Sequence, residues 1–131
     1  MDVDRETIKD RSTDAVFERG ETYRDKGRIQ QLDRFDDLVT ASVSGSTLYD
    51  VTVEFGGRSI DTRCTCPYDG SGDCKHIVAV LLDIAADTPQ DESEQVEDAL
   101  RDVSADELRE FVRDAVAERP ELRERFLARF G

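Results

Sequence analysis

The sequence predicts an α+β fold: an N-terminal helix, a small antiparallel β-meander closing on a strand-turn-helix unit, and a helical C-terminal appendage. Three observations carry this reading. Apolar and polar residues alternate between Val39 and Phe55, the period of half-buried strands. The segment CTCPYDGSGDCKH, residues 64–76, then holds every cysteine and the only histidine of the 131-residue chain. Beyond residue 93 apolar residues recur at the three- and four-residue spacing of helices.

In chain order, STDAVFERGETYRDKG (12–27) offers Ser12 as an N-cap, Val16, Gly20 and Tyr23 on one face, and Gly27 as a stop. Val39, Ala41 and Val43, then Tyr49, Val51, Val53 and Phe55, alternate on either side of the turn signal Gly45-Ser46, with Gly56-Gly57 closing the second run. A third run begins at Arg58, in which Ile60, Thr62, Cys64 and Cys66 share one parity, so that both thiols project from the same side of a strand end. Pro67 cannot donate to a ladder, and Tyr68 to Gly72 is turn chemistry. HIVAVLLDIAA, apolar almost all round, suits a helix buried against the sheet. Asp73 is its expected N-cap, with Cys74 and His76 in the first turn, where the helix dipole favours a thiolate. Residues 1–86 are thus expected as one domain and 87–92 as a linker. Residues 93–131 form the appendage: a helix around Gln95 to Val103, one opened by the capping box Ser104 to Glu107, and one starting at Pro120.

Composition narrows the function. With 31 acidic against 18 basic residues the net charge is −13, a balance that resembles the surface of a salt-adapted, haloarchaeal protein. The deficit is uneven: net −5 over residues 1–82 and net −8 over 83–131. The absence of a long apolar stretch or leader composition leads to the expectation of a cytoplasmic, non-membrane protein. There is no phosphate-loop pattern, no histidine outside the cysteine segment and no paired-carboxylate motif, so no enzyme is expected.

The cysteine segment reads C-x-C-x7-C-x-H. Three sulfurs and one imidazole match the preference of Zn²⁺ for four tetrahedral N/S ligands. A filled set leaves no open position, so Cys64, Cys66, Cys74 and His76 are expected to hold one structural zinc per chain. A redox thiol switch and plain buried cysteines are the other readings, and the first gives an alternative function, a redox-responsive zinc-thiolate regulator. Three thiolates around one Zn²⁺ carry a net −1, which Arg63 and Lys75 stand close enough in sequence to offset. Cations that could meet nucleic acid or a partner are Arg58, Arg63 and Lys75 around the segment, and Arg119, Arg123, Arg125 and Arg129 on the last helix.

The signature, the strand before it, the CPY turn and the CKHIVAVLL helix resemble the SWIM-type zinc finger of prokaryotic proteins. FERGETYRDKGRI and the meander through GSTLYDV are similar to the sequence preceding that finger, so the resemblance covers residues 12 to about 86. It implies that Cys64, Cys66, Cys74 and His76 are zinc ligands. It also implies a non-enzymatic module for protein or DNA contact in recombination, repair, remodelling or transcription, with a recombinase or helicase-like ATPase, DNA, or both as partner. No small-molecule substrate is expected.

Overall fold

Alternating burial along the chain generates a four-stranded antiparallel sheet in the simplest order, β1-β2-β3-β4, with one helix packed on a face of it and a second helix packed on the first. The computed structural model describes residues 1–131. Its elements are α1 (Arg5–Asp10), α2 (Asp14–Asp25), β1 (Ile29–Phe35), β2 (Leu38–Ser44), β3 (Leu48–Gly56), β4 (Ser59–Cys64), α3 (Lys75–Ala86), α4 (Ser93–Asp102), α5 (Ala105–Glu118) and α6 (Pro120–Phe130). Two units separate, Met1–Ser93 and Glu94–Gly131.

In the first unit Val39, Ala41 and Val43 of β2 and Val51 and Val53 of β3 turn inward, and their alternate neighbours face outward. Beneath them lies α3, whose residues from His76 to Leu82 are all buried, as is Ile84. That burial explains its continuous apolar sequence: the sheet covers one side, α2 another, and Ile8 of α1 is fully enclosed in the same core. Helices α2 and α3 meet at Gly20, where a Cβ would overlap the Val78 side chain and stand 3.1 Å from the Lys75 carbonyl oxygen. The small residue at that position therefore sets how closely α3 approaches α2.

Two elements lay outside the sequence reading, and each has a physical reason. Strand β1, IQQLDRF, does not alternate, because its register shifts between Ile29 and Gln31. The bulge lets Ile29 and Leu32, three apart, both pack on the core. Helix α1 is only six residues long, capped by Asp4, whose carboxylate accepts from the Thr7 N–H at 2.8 Å, and anchored by the single apolar residue Ile8.

The expected caps also move. Thr13 rather than Ser12 caps α2, and Ser12 instead pairs with Gly72. Cys74, not Asp73, is the N-cap residue of α3. Asp73 is buried and engaged elsewhere: Arg11 Nε donates to it at 2.8 Å and the Thr62 hydroxyl at 2.6 Å, while its own N–H donates to the Arg11 carbonyl at 2.9 Å. This network ties the turn after β4 to the α1–α2 corner. Gly72, at φ 75, is required there because the Arg11 carbonyl passes too close for a Cβ. The polar stretch after α3 is held in place too. Arg34 donates to the Pro89 carbonyl, and the Asp91 carboxylate accepts from the Asp36 and Ser93 N–H groups.

In the second unit the expected capping box closes α5: the Ser104 hydroxyl accepts from Glu107 N–H, and the Glu107 carboxylate from Ser104 N–H. Pro120 starts α6 and Arg119 is the corner between the two helices. None of the three helices contains a buried residue.

Gly20→Ala tests the helix contact. Alanine gains about 1 kcal/mol of helix propensity, yet overpacking at a buried site costs about 1–3 kcal/mol. We expect net destabilisation of up to about 2 kcal/mol in denaturant unfolding.

Candidate metal centre

The parity of β4 delivers the first two donors. Cys64 is the last residue of the strand, opposite Val51, and ladder-like bonding continues one residue further: Thr65 N–H donates to the Asp50 carbonyl at 3.1 Å, and Asp50 N–H to the Thr65 hydroxyl at 2.9 Å. With Thr65 held outward, Cys64 and Cys66 both turn toward α3. The other two donors come from the start of that helix, Cys74 as N-cap and His76 two residues on.

All four donor atoms lie within 4.8 Å of one another. His76 Nδ1 stands 3.7 Å from Cys64 Sγ and 3.8 Å from Cys74 Sγ. Tetrahedral Zn²⁺ with bonds of about 2.3 Å to sulfur and 2.0–2.1 Å to nitrogen separates its ligands by roughly 3.5–3.8 Å. The donor set fits one structural Zn²⁺ ion, which Cys64, Cys66, Cys74 and His76 would hold. When bound, the ion supplies a cross-link between a strand end and a helix start.

The thiols are already differentiated. Cys74 is held down to about 4, first by a hydrogen bond from Cys64 and further by His76 and the Ile77 N–H at the helix start, against the opposing effect of burial. Cys64 is pushed far up, because it shares a proton with the Cys74 thiolate and is partly buried. Cys64, Cys66 and Cys74 would each have to be deprotonated to hold Zn²⁺, and the Cys74 thiol, at the helix start, is the one the surrounding groups favour as thiolate.

The imidazole is oriented by packing. Its ring lies 4.7 Å from the Tyr49 ring and 5.3 Å, edge to face, from Tyr23. With Nδ1 turned to the sulfurs, Nε2 is buried and has no hydrogen-bond partner. Metal-binding histidines usually anchor the second nitrogen on an acceptor; here the β2–β3 hairpin presses against it. A Cβ on Gly45 would stand 3.2 Å from Nε2 and 2.8 Å from Tyr49 Cε2. In the sequence Gly45 reads only as a turn residue and Tyr23 only as part of a helix face. Nothing local marks either as a neighbour of the histidine.

Within the first unit the candidate contact cations do not gather in one place. Arg58 lies in the β3–β4 turn, at the opposite end of β4 from Cys64. Arg63 is exposed on the open face of the sheet, opposite Thr52, near Asp61 and Glu54. Lys75 stands beside the donors, its ammonium 4.9 Å from the centre of the Tyr23 ring. On the last helix Arg123 donates to the Val116 and Ala117 carbonyls, closing the end of α5, and Arg119 pairs with Glu121. Arg129 lies over Phe130, and Arg125 lines a shallow surface with Leu122 and Phe126.

Residues 49–85 match the family model of the SWIM zinc finger. The match spans nearly all of β3, all of β4, the turn and nearly all of α3, and includes all four donors. No curated protein and no solved structure matches the chain. No helix is long and apolar enough to cross a membrane.

Gly45→Ala keeps all four ligand residues but crowds the histidine. We expect zinc affinity to fall about 10-fold, the lower end for loss of support around a ligand, in competition with a chromophoric chelator. On full chelation, amide exchange is expected to accelerate first between residues 64 and 74. The centre of α3, inside the apolar core, is expected to hold longest.

Proposed function

We propose that the chain is a non-enzymatic contact module of DNA transactions, in which a structural zinc shapes a surface that engages a protein partner, DNA, or both. The processes in view are recombination, repair, remodelling or transcription, and the partner class is a recombinase or a helicase-like ATPase. The single observation that carries this reading is the convergence of four N/S donors from a strand end and a helix start. A full tetrahedral set leaves no position for a reacting water, which is what distinguishes structural from catalytic zinc. The match of this segment to a finger family whose role is binding supports the same reading. A cytoplasmic, salt-rich setting agrees with the net charge of −13: at about 1 M salt the Debye length is near 3 Å, so distant carboxylates repel a polyanion little.

Cys74→Ser is the direct test. The variant is expected to lose both its zinc and its zinc-dependent binding partners in a pull-down from high-salt lysate, with and without nuclease. Capture that survives complete metal loss refutes the module. Disappearance of the captured proteins on nuclease treatment assigns nucleic acid as target or bridge, and their persistence assigns a protein.

A further inference from the structure

Beside the donors lies a cavity of about 390 Å³ in the first unit. All three tyrosines of the chain line it: Tyr23 from α2, Tyr49 from β3 and Tyr68 from the turn between Cys66 and Cys74. Arg19 and Lys75 supply two cations and Ser46 a hydroxyl. In a chain with 31 acidic residues among 131, no carboxylate is among the lining residues. Cys66, Cys74 and His76 form part of the same wall, so the fold of the metal centre and the shape of the cavity are one arrangement.

We propose that this cavity binds one nucleotide of a single-stranded nucleic acid, the base against the tyrosines and the phosphate between Arg19 and Lys75; this rests on the contact-module reading above and names its ligand. Charge complementarity comes first, since the site collects cations and excludes carboxylates. Aromatic rings then favour a base over an acidic peptide, which would need the cations alone. Stacking on a side-chain ring accepts any base and is far less weakened by salt than phosphate contact, which falls steeply with salt. The volume sits at the lower end of the roughly 300–1,000 Å³ of small-ligand sites. That is room for one unstacked nucleotide and not for a duplex, whose bases remain inside their stack.

Tyr68 is the most accessible ring, 39% exposed on its turn. Its hydroxyl donates to the Ser71 carbonyl at 2.9 Å, which orients the ring without using its faces. Tyr49 is backed by His76, and its hydroxyl pairs with Ser46 at 2.7 Å. Tyr23 carries the Lys75 ammonium at 4.9 Å from its ring centre, which keeps positive charge at the cavity wall. Arg19 is exposed on α2 and free to swing onto a phosphate.

The chain reports on this cavity by itself, because it has no tryptophan and no tyrosine elsewhere. The zinc-loaded full chain is titrated with oligothymidylate of about twelve nucleotides, within the site sizes of single-strand binders. Saturable quenching of tyrosine emission is expected, with the matching duplex bound at least about tenfold more weakly. Fluorescence anisotropy of labelled oligonucleotide then compares variants at equal zinc content. Tyr68→Ala is expected to weaken binding about tenfold, the loss of one stacked base. Arg19→Ala, on an exposed helix face clear of the metal, is expected to lower the slope of log affinity against log salt by about 0.7, the loss of one phosphate contact to a single strand. Equal binding of duplex, wild-type affinity in both variants, or displacement of the oligonucleotide by polyglutamate at similar concentration overturns the proposal. Absence of oligonucleotide binding alongside zinc-dependent protein capture overturns this proposal alone, whereas absence of both overturns the contact module as well.

Discussion

Four soft donors on two different elements must converge on one point, and most of the first unit is arranged around that requirement. The strand end carrying Cys64 and Cys66 is held by its pairing with β3. The helix start carrying Cys74 and His76 is held by burial of α3 under the sheet and against α2. Neither element could be displaced by an ångström or two without pulling the donors out of reach of one ion. Gly20 and Gly45 matter for the same reason, since each lets backbone approach where a methyl would push α3 or the imidazole away.

The donors are also served by a second, metal-independent tie. Arg11, Thr62 and Asp73 join the α1–α2 corner, β4 and the residue before Cys74 through one partly buried ion pair and its hydrogen bonds. An uncompensated buried carboxylate would be costly, so Asp73 is retained where both partners reach it. The turn of seven residues between Cys66 and Cys74 is thereby anchored at its far end before any metal is considered. Free-energy scales support this division. Structural zinc in isolated finger peptides is worth about 10–16 kcal/mol, comparable to the stability of a whole domain, but here an apolar core and the Asp73 network share the task.

The charge distribution separates two parts of the molecule's chemistry. Asp50, Glu54 and Asp61 are exposed on the sheet and residues 83–131 carry a net −8, whereas the cavity next to the donors has cations, phenols and no carboxylate. For a chain with net charge −13 such a gap is a local inversion of the average surface. The cations the sequence offered as contacts divide along the same line. Lys75 joins the cavity, Arg123 closes a helix end, and Arg63 stands among acids.

The donor set was legible from the sequence because its chemistry is local: C-x-C on strand parity and C-x-H at a helix start place four ligands within 13 residues, and residue type with spacing is enough to name the ion. The inward faces of β2 and β3, the burial of α3 and the capping box of α5 were legible for the same reason, being periodic or short-range. Tertiary structure alone decided the rest. β1 escaped because a bulge breaks its period, and α1 because a single buried isoleucine leaves no period to detect. Asp73 looked like a cap until Arg11, 62 residues away in sequence, took its carboxylate. The tyrosine cavity is the extreme case, since Tyr23, Tyr49 and Tyr68 lie on three separate elements. Short-range periodicity records which side of its own element a residue occupies; which other elements that side meets depends on contacts distant in sequence, and only the packed chain specifies them.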